Sequence, residues 1–463
     1  MAESVPATIV ACLEQLGEEL TAWVQAHRDG TLATHEQGVL QAVRQALPGL
    51  LGAVVQASTR ALAPAQQRLR EPCPGCGLRT APRKQWRRRQ VRTVCGPVHY
   101  ERPCYWCRGC HRGWSAADAT LAVPPRARLS AGLDAWLGEL GAAATFAPAA
   151  ALLERLTGLG VSAETVRQHT EQQGAALEAA QHTAITRCQA TRAAAESVVA
   201  APGLLVVQTD GVMVPYADGY HEAKVGLVAG WEGERLVAPS YVAAREPAAA
   251  FGPRLLTEAA RRGALEVTDW TGGRTAPGLA HLRPVVVLGD GAPWIWHLAA
   301  EHFGECREIV DWYHASEHVW ALAHVLYGVA TEPARTWATA RLGELHEQGP
   351  PAFLQALRQV RPTTPEGRKA LRQERGYFRT NQARMAYPSF VAQGLPIGSG
   401  AVESTARHLV QLRLKRPGAR WSEAGAQAIL TLRAHLLSRP TRATRSGEWR
   451  RRQRAHAAAA LVA

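Results

Sequence analysis

Several things are scarce in this sequence, and each scarcity excludes a class. No run of eighteen apolar residues occurs, which argues against a membrane span. The N-terminus, MAESVPATIVACLEQLGEEL, carries acidic residues early and has no basic n-region, which argues against a signal peptide. Nine cysteines in 463 residues are too few for a disulfide scaffold. Acidic side chains are also short: 39 Asp and Glu face 53 Lys and Arg, for a net charge of +14 and a pI near 9.8. The basic residues cluster, so the excess points to a polyanionic partner, nucleic acid first; a generally basic surface is the plain alternative. The apolar fraction of 46% is that of globular protein, and the length suggests about two to four domains.

Four of the cysteines fall in pairs. Cys73 and Cys76 lie in EPCPGCG, and Cys107 and Cys110 in CYWCRGCHRGW. Each pair is a knuckle, two thiolates on a tight turn, with Gly75 and Gly77, or Gly109, allowing the turn. Four sulfurs make the closed tetrahedral set that structural zinc prefers. Between them Gln90 to Val94 and Val98 to Tyr100 alternate as strands around a Gly96-Pro97 turn, the layout of a zinc ribbon in a reducing cytoplasm. Cys104 repeats the C-x-x-C spacing with Cys107, so the ligand register could slip, and Cys95 is a further candidate. A redox pair is the weaker reading, because no strand–helix context surrounds either knuckle. Inside the ribbon Arg83, Lys84, Arg87, Arg88, Arg89 and Arg92 run with Trp86 and no acid, a candidate phosphate-gripping face or simply a solvated one.

On either side the chain reads as helix. Residues 1–66 show helical spacing at Ile9, Leu13, Leu16 and Leu20, a helical region or oligomerisation arm. Residues 121–198 contain a helix at Ala147 to Leu156, a turn at Gly158-Leu159-Gly160, and a second helix capped by Ser162 and running through Gln172. That is a helix-turn-helix pattern with Thr165, Arg167, Gln168 and Gln172 outward; plain helical hairpins look the same.

The chain is organised around Leu204 to Val214, LLVVQTDGVMV. The apolar run predicts a buried strand, with Asp210 where it leaves the core. Two antiparallel strands follow, His221 to Leu227 and Leu236 to Val242, with a turn at Trp231 to Gly233. PVVVLGDG predicts a second buried strand ending at Asp290, and Cys306 to Val310 a third, ending at Asp311-Trp312-Tyr313-His314. Residues 315–394 are helical, broken at prolines, and read as an insertion into the strand-bearing core. In LPIGSGAVESTARHLVQLRLKRPGAR a helix begins near Gly400, with Glu403, Arg407, Gln411 and Lys415 four apart on one face. Trp421 and Ser422 start a last helix, and 439–463 is a basic tail.

Three carboxylates converging from Asp210, Asp290 and Glu403 would hold two divalent cations, about 3.5–4 Å apart, for in-line phosphoryl displacement. Oxygen ligands favour magnesium or manganese. Each acid has a plain alternative: a turn aspartate at 210 and 290, a helix-capping residue or an ion-pair partner of Arg407 at 403. Arg407, Arg413, Lys415, Arg416 and Arg420 follow Glu403, a cationic run suited to DNA backbone or a solvated face.

The order TDG, GDGA, DWYH, then IGSG-x-VES followed by R-x-K and RWS resembles the DDE transposases of bacterial insertion sequences, and among them the ISKra group numbered four. The resemblance runs from the ribbon to about Leu437. It implies an α/β, ribonuclease-H-like core: a mixed five-stranded sheet flanked by helices, with a helical insertion before the last acid, preceded by the zinc ribbon and helical DNA-binding region. On that resemblance the ribbon spans 67–120, the core 199–314 and 395–438, and Asp210, Asp290 and Glu403 are the catalytic triad. Asp311-x-x-His314 looks like the D-x-x-H signature of related enzymes, which puts His314 near the site; a helix-capping role is the alternative. The implied activity is metal-dependent cleavage at element ends and strand transfer to target DNA, by a cytoplasmic homo-oligomer that uses magnesium or manganese plus structural zinc. Two rivals stand beside it: a non-catalytic DNA-binding regulator or domesticated transposase, and a structure-specific nuclease of the same fold.

Overall fold

The computed structural model describes residues 7–68, 70–81, 83, 85–191, 203–263, 284–398 and 400–438. The basic tail and Lys84 lie outside the described residues. The chain forms two compact units, residues 1–170 and 171–463.

The first unit opens with two helices, Ala7–Ala26 and Leu32–Arg68. Within the second, Leu32–Arg60 is long and apolar enough, at a mean hydropathy of 1.3, to cross a membrane by length and composition. Polar residues interrupt every continuous apolar run there, so run counting missed it. This helix docks on the ribbon: the Gln56 amide and Thr59 hydroxyl donate to the Glu101 carbonyl, each at 3.3 Å, and Glu101 N–H donates back to Gln56 at 2.8 Å. The ribbon's hairpin pairs Arg87–Thr93 with Gly96–Arg102. Its turn is Val94-Cys95, not Gly96-Pro97, because Thr93 Oγ1 accepts from Cys95 N–H at 3.1 Å and donates to the Gly96 carbonyl at 2.9 Å. Gly96, at φ +107°, fits against Pro48, where a Cβ would meet the ring at 2.7 Å.

Farther on, Phe146–Thr157 ends at Gly158 in the left-handed conformation, and Ser162 Oγ accepts from Thr165 N–H at 3.1 Å to start the next helix. That helix runs Ala163–Thr191, well past Gln172. Leu133, Leu137, Ala149, Leu153 and Val166 fill the space between these helices.

The second unit is built on five strands: β1 Leu204–Tyr216, β2 Gly219–Glu232, β3 Arg235–Ala244, β4 Val285–Gly289 and β5 Arg307–Val310. Their order is β5-β4-β1-β2-β3. The first three form an antiparallel meander, while β4 runs parallel to β1 and β5 parallel to β4. Gly233 and Glu234, at φ +52° and +61°, close the β2–β3 hairpin in the primed-turn geometry that suits strand twist. Around the sheet lie α1 Ala248–Arg261, α2 Pro293–His302, α3 Trp312–Tyr327, α4 Glu332–Glu347, α5 Pro350–Gln359, α6 Pro365–Thr380, α7 Tyr387–Ala392, α8 Gly400–Thr405 and α9 Glu423–Ser438. Threonines or glycine open α4, α5 and α6, each with proline in its first turn, which places the breaks where the sequence has Pro333, Pro350 and Pro365.

Leu205 and Val207 of β1, Phe251 and Leu255 of α1 and Ile295 of α2 share one core with Val319, Phe353, Phe378 and Phe390. The segment 315–394 therefore packs continuously with the sheet instead of closing a core of its own. Phe251, Leu255, Phe353 and Phe378 are fully buried, each contributing roughly 1.5–3 kcal/mol. Arg254, 2% exposed, is the polar hub of this unit: it pairs with Glu178 at 2.6 Å and Glu246 at 2.8 Å.

Candidate functional site

The four cysteines of the two knuckles come together. Cys73 and Cys110 sulfurs lie 3.3 Å apart, Cys76 and Cys107 sulfurs 3.4 Å apart, and all four are within 4.8 Å of one another. Gly77 takes φ +74°, turning the first knuckle. Backbone N–H of Cys110 pulls the Cys107 thiol down to about 6, while the contact with Cys73 pushes the Cys110 thiol up to about 12, the crowding of four sulfurs that a bound cation would relieve. This cluster could hold a structural metal such as zinc. Cys95 and Cys104 stand outside it; the Cys104 sulfur instead accepts from Arg102 at 2.7 Å.

The acidic site forms where parallel pairing stops. Strand β4 pairs with β1 only from Leu205 to Gln208, and Asp210 sits just beyond. The strand does not end there: β1 continues to Tyr216 on its β2 side, with Asp210 opposite Val225. Asp210 is thus a mid-strand residue with one flank opened by the end of β4. On that flank Asp290 follows the last residue of β4, its carboxylate accepting from Ala292 N–H at 2.8 Å. Asp311 follows β5 and caps α3 through Tyr313 and His314 N–H, each at 3.3 Å. It is 2% exposed, and its own N–H donates to the Gly289 carbonyl at 2.8 Å. The capping role at this corner belongs to Asp311, and His314 is left on the first turn, half-buried, 3.5 Å from Glu317. Next door, Trp312 N–H donates to the Ile397 carbonyl at 2.8 Å, anchoring the segment that leads into α8 and Glu403.

Electrostatics tie these groups together. The Asp210 carboxyl is pushed up to about 6, first by burial, and further by the negative charges of Asp290 and Glu403; the Gly211 N–H and His314 act the other way. Asp210, Asp290, His314 and Glu403 therefore share one field. The three carboxylates remain more open than the thiols: among the described residues, only the cysteine set lies within 4.8 Å throughout. Glu403 itself is exposed.

The cations sort into free and engaged. Arg87 and Arg88 are exposed, and Arg83 lies over the Trp106 ring at 5.3 Å. Arg92 donates to the Gly160 carbonyl at 2.5 Å. Arg89 is not free for phosphate: it is bound to Asp118 at 2.8 Å and to the Pro124 and Ala127 carbonyls. In the helix-turn-helix segment, Arg167 and Gln168 both bind Glu164. After Glu403, Arg407, Lys415, Arg416 and Arg420 are exposed, but Arg413 is 2% exposed and lies over Trp421 at 5.0 Å. Burial, with Arg433 and Arg416 adding to it, pulls Arg413 down to about 10, so it is a core cation and not a DNA contact. The four-residue stripe from Glu403 is exposed throughout, at Glu403, Arg407, Gln411 and Lys415, although Ala406–Gln411 is π-helical.

Sequence reasoning missed three features of this region. Lys224, buried on β2, pairs with Glu222 at 2.5 Å and lies over Trp294 at 5.1 Å, directly after the Asp290 turn. Tyr377 of α6 donates to the Asp290 carbonyl at 3.1 Å and stacks on His318 at 3.9 Å. The same α6 exposes Arg368, Arg372, Arg375 and Arg379. Their spacing of four, three and four is one helical stripe, a signal legible in the sequence.

The model of an uncharacterised protein family, UPF0236, matches residues 81–453. The chain belongs to that family. The UPF0236 match takes in Asp210, Asp290, His314 and Glu403, and of the four clustered thiols Cys107 and Cys110. A search of curated proteins found no match.

Proposed function

We propose that this UPF0236 protein is a DDE-type transposase with a ribonuclease-H-like core. The observation that carries the reading is Asp210: a half-buried carboxyl just past the parallel pairing, raised first by burial and further by two more carboxylates, Asp290 after β4 and Glu403 of α8. Acids gathered in this way are a site that a divalent ion would neutralise. The mixed five-stranded sheet, its flanking helices and the helices between β5 and Glu403 support the same reading.

Asp210, Asp290 and Glu403 would hold the magnesium or manganese ions. When bound, these ions supply Lewis-acid stabilisation of the attacking and leaving oxygens. The chain's own groups do the rest. Tyr377 fixes the Asp290 backbone, and the Trp312–Ile397 bond fixes the approach to Glu403. His314 offers a proton-carrying imidazole at the edge of the acids. In the reaction, water or a DNA 3′-hydroxyl gives up its proton as it forms a new P–O bond, the P–O3′ bond breaks, and the departing 3′ oxygen takes up a proton. Exposed Arg87, Arg88, Arg407, Lys415, Arg416 and Arg420 supply phosphate contacts to element ends and target DNA. Exposed Leu13, Val24, Leu32 and Leu40 on the N-terminal helices support a homo-oligomer.

A second reading has its own observation. Glu403 is exposed and the carboxylates are not closed around a common point, as in a DNA-binding regulator that has no use for the metal. One assay separates the two: purified protein on labelled DNA carrying the flanking element ends, with and without magnesium. Magnesium-dependent nicking at the end, lost in Glu403→Gln, is expected. Specific binding with no cleavage by the unaltered chain would overturn the transposase reading in favour of the regulator.

A further inference from the structure

We propose that the zinc-ribbon unit holds a pocket for an unstacked nucleotide of single-stranded DNA, with its base against Trp106 and its phosphate on Arg83, Arg87 and Arg126. The proposal rests on the nucleic-acid partner of the preceding section and adds the form that partner takes at this site.

A cleft of about 1030 Å³ opens beside the hairpin, large enough for a nucleotide. Two acids line it, Asp118 and the half-buried Glu71. Asp118, on the wall, is neutralised by Arg89 at 2.8 Å and Arg102 at 2.9 Å, and accepts from the Tyr100 hydroxyl at 3.0 Å. Arg83, Arg87 and Arg126 also line the cleft, all exposed, and among the described residues no acid pairs with them. A phosphate is the ligand that such a group of guanidinium ions would draw.

The cleft also has an aromatic side. Trp106 is 40% exposed in the two-residue strand Tyr105–Trp106. Its cross-strand partner is Gly113, where an added Cβ would only touch the indole at 3.4 Å, and Arg83 lies over the ring at 5.3 Å. Below, Ser115 is 5% exposed, and its hydroxyl has no hydrogen-bond partner. A buried hydroxyl left unpaired is costly, and one lining a cleft is poised for a ligand's polar edge.

One stretch of the lining is strained. Ala122 and Arg126 take φ +51° and +65°, which only glycine adopts freely. Arg89 holds this stretch by donating to the Pro124 and Ala127 carbonyls at 2.7 and 3.1 Å. Strain maintained by such bonds is found where a surface must be preformed.

A duplex cannot use this arrangement fully. It presents phosphate ridges and keeps its bases stacked inside, so the indole and the buried hydroxyl would go unmatched. An unpaired strand offers a base to stack, a polar edge for Ser115 and a phosphate for the arginines.

The test uses the full zinc-loaded chain carrying Asp210→Asn, without magnesium, so that the outcome does not depend on cleavage. Fluorescence anisotropy compares a twelve-nucleotide single strand with a duplex of the same sequence, and zinc content is measured for every variant. Trp106→Ala should weaken single-strand binding on the order of tenfold, leave duplex binding unchanged and retain zinc; Trp106→Phe should restore the single-strand affinity. Should Trp106→Ala shed zinc, Ser115→Ala decides: a loss confined to the single strand supports the pocket. Equal weakening of both forms, no weakening of either, or no single-strand binding at all overturns it. A chain that cleaves element ends yet fails this test loses only the pocket.

Discussion

Replacing Asp210 with Asn should make the metal-free protein more stable while abolishing cleavage. The carboxyl has an ordinary value of 3.8 and is raised in the fold to about 6, by burial first. A carboxyl raised on folding binds its proton more tightly in the folded state. Its contribution is therefore most favourable below about pH 4 and is lost as the pH climbs through 6. A gap of about two pH units corresponds to roughly 3 kcal/mol by pH 7.5. Asparagine keeps an oxygen for the Gly211 N–H, which now donates to Asp210 at 2.7 Å, but carries no charge. For a unit of this size the gain is about 5 °C in melting temperature. The assay is thermal unfolding by circular dichroism from pH 4 to 8, in magnesium-free buffer without chelator so that the thiol cluster keeps any metal. The melting temperatures should converge near pH 4 and separate above pH 6, with Asn the more stable. Magnesium or manganese should then raise the wild type and leave the variant unmoved. A variant that melts lower at pH 7.5, or a gap that does not close toward pH 4, would refute the electrostatic reasoning.

Arg254→Ala strands Glu178 and Glu246 in the interior and should cost about 3–5 kcal/mol in urea unfolding; a cost below about 1 kcal/mol would show the network to be dispensable. Cys73→Ser, Cys76→Ser, Cys107→Ser and Cys110→Ser should each lose most bound zinc, whereas Cys95→Ser and Cys104→Ser should retain about one ion per chain by metal analysis. Tyr377→Phe removes the hydrogen bond to the Asp290 carbonyl. Its expected effect is about tenfold slower end cleavage with a stability change within about 1.5 kcal/mol, and unaltered cleavage would detach Tyr377 from the site.

Much of this fold is legible in the sequence, for reasons that are local. The apolar runs before Asp210 and Asp290 predict buried strands, and both are there. Ser162 predicts a helix start, and its hydroxyl caps one. Thiol pairs on tight turns predict a four-sulfur cluster. What was not legible depends on partners distant in sequence. Asp210-Gly211 reads as a strand end because Asp-Gly usually turns, yet β2 holds the strand straight for six more residues. Gly96-Pro97 reads as a turn, yet Pro97 sits in the hairpin register opposite Arg92. Arg89 reads as free because its acid, Asp118, lies 29 residues away.

The π-helical turn after Glu403 is where local and distant causes meet. Four-residue spacing drifts by about 40° per step on a regular α-helix; a wider turn offsets that drift, and Glu403, Arg407, Gln411 and Lys415 are all exposed. The carbonyls this turn displaces need donors, and Arg433 of α9 supplies them, donating to His408 and to Leu409, the latter at 2.7 Å. Arg413 then turns inward over Trp421, while Arg416 and Arg420 remain outside. A second exposed row, all arginine, lies on α6, the helix whose Tyr377 holds the Asp290 carbonyl. The helical segment between β5 and Glu403 is therefore more than a spacer. It shares the core of the sheet, fixes the backbone of one acid, and carries the outward arginine row, so a change in that segment reaches the acidic site through the shared packing and through the Tyr377 hydrogen bond.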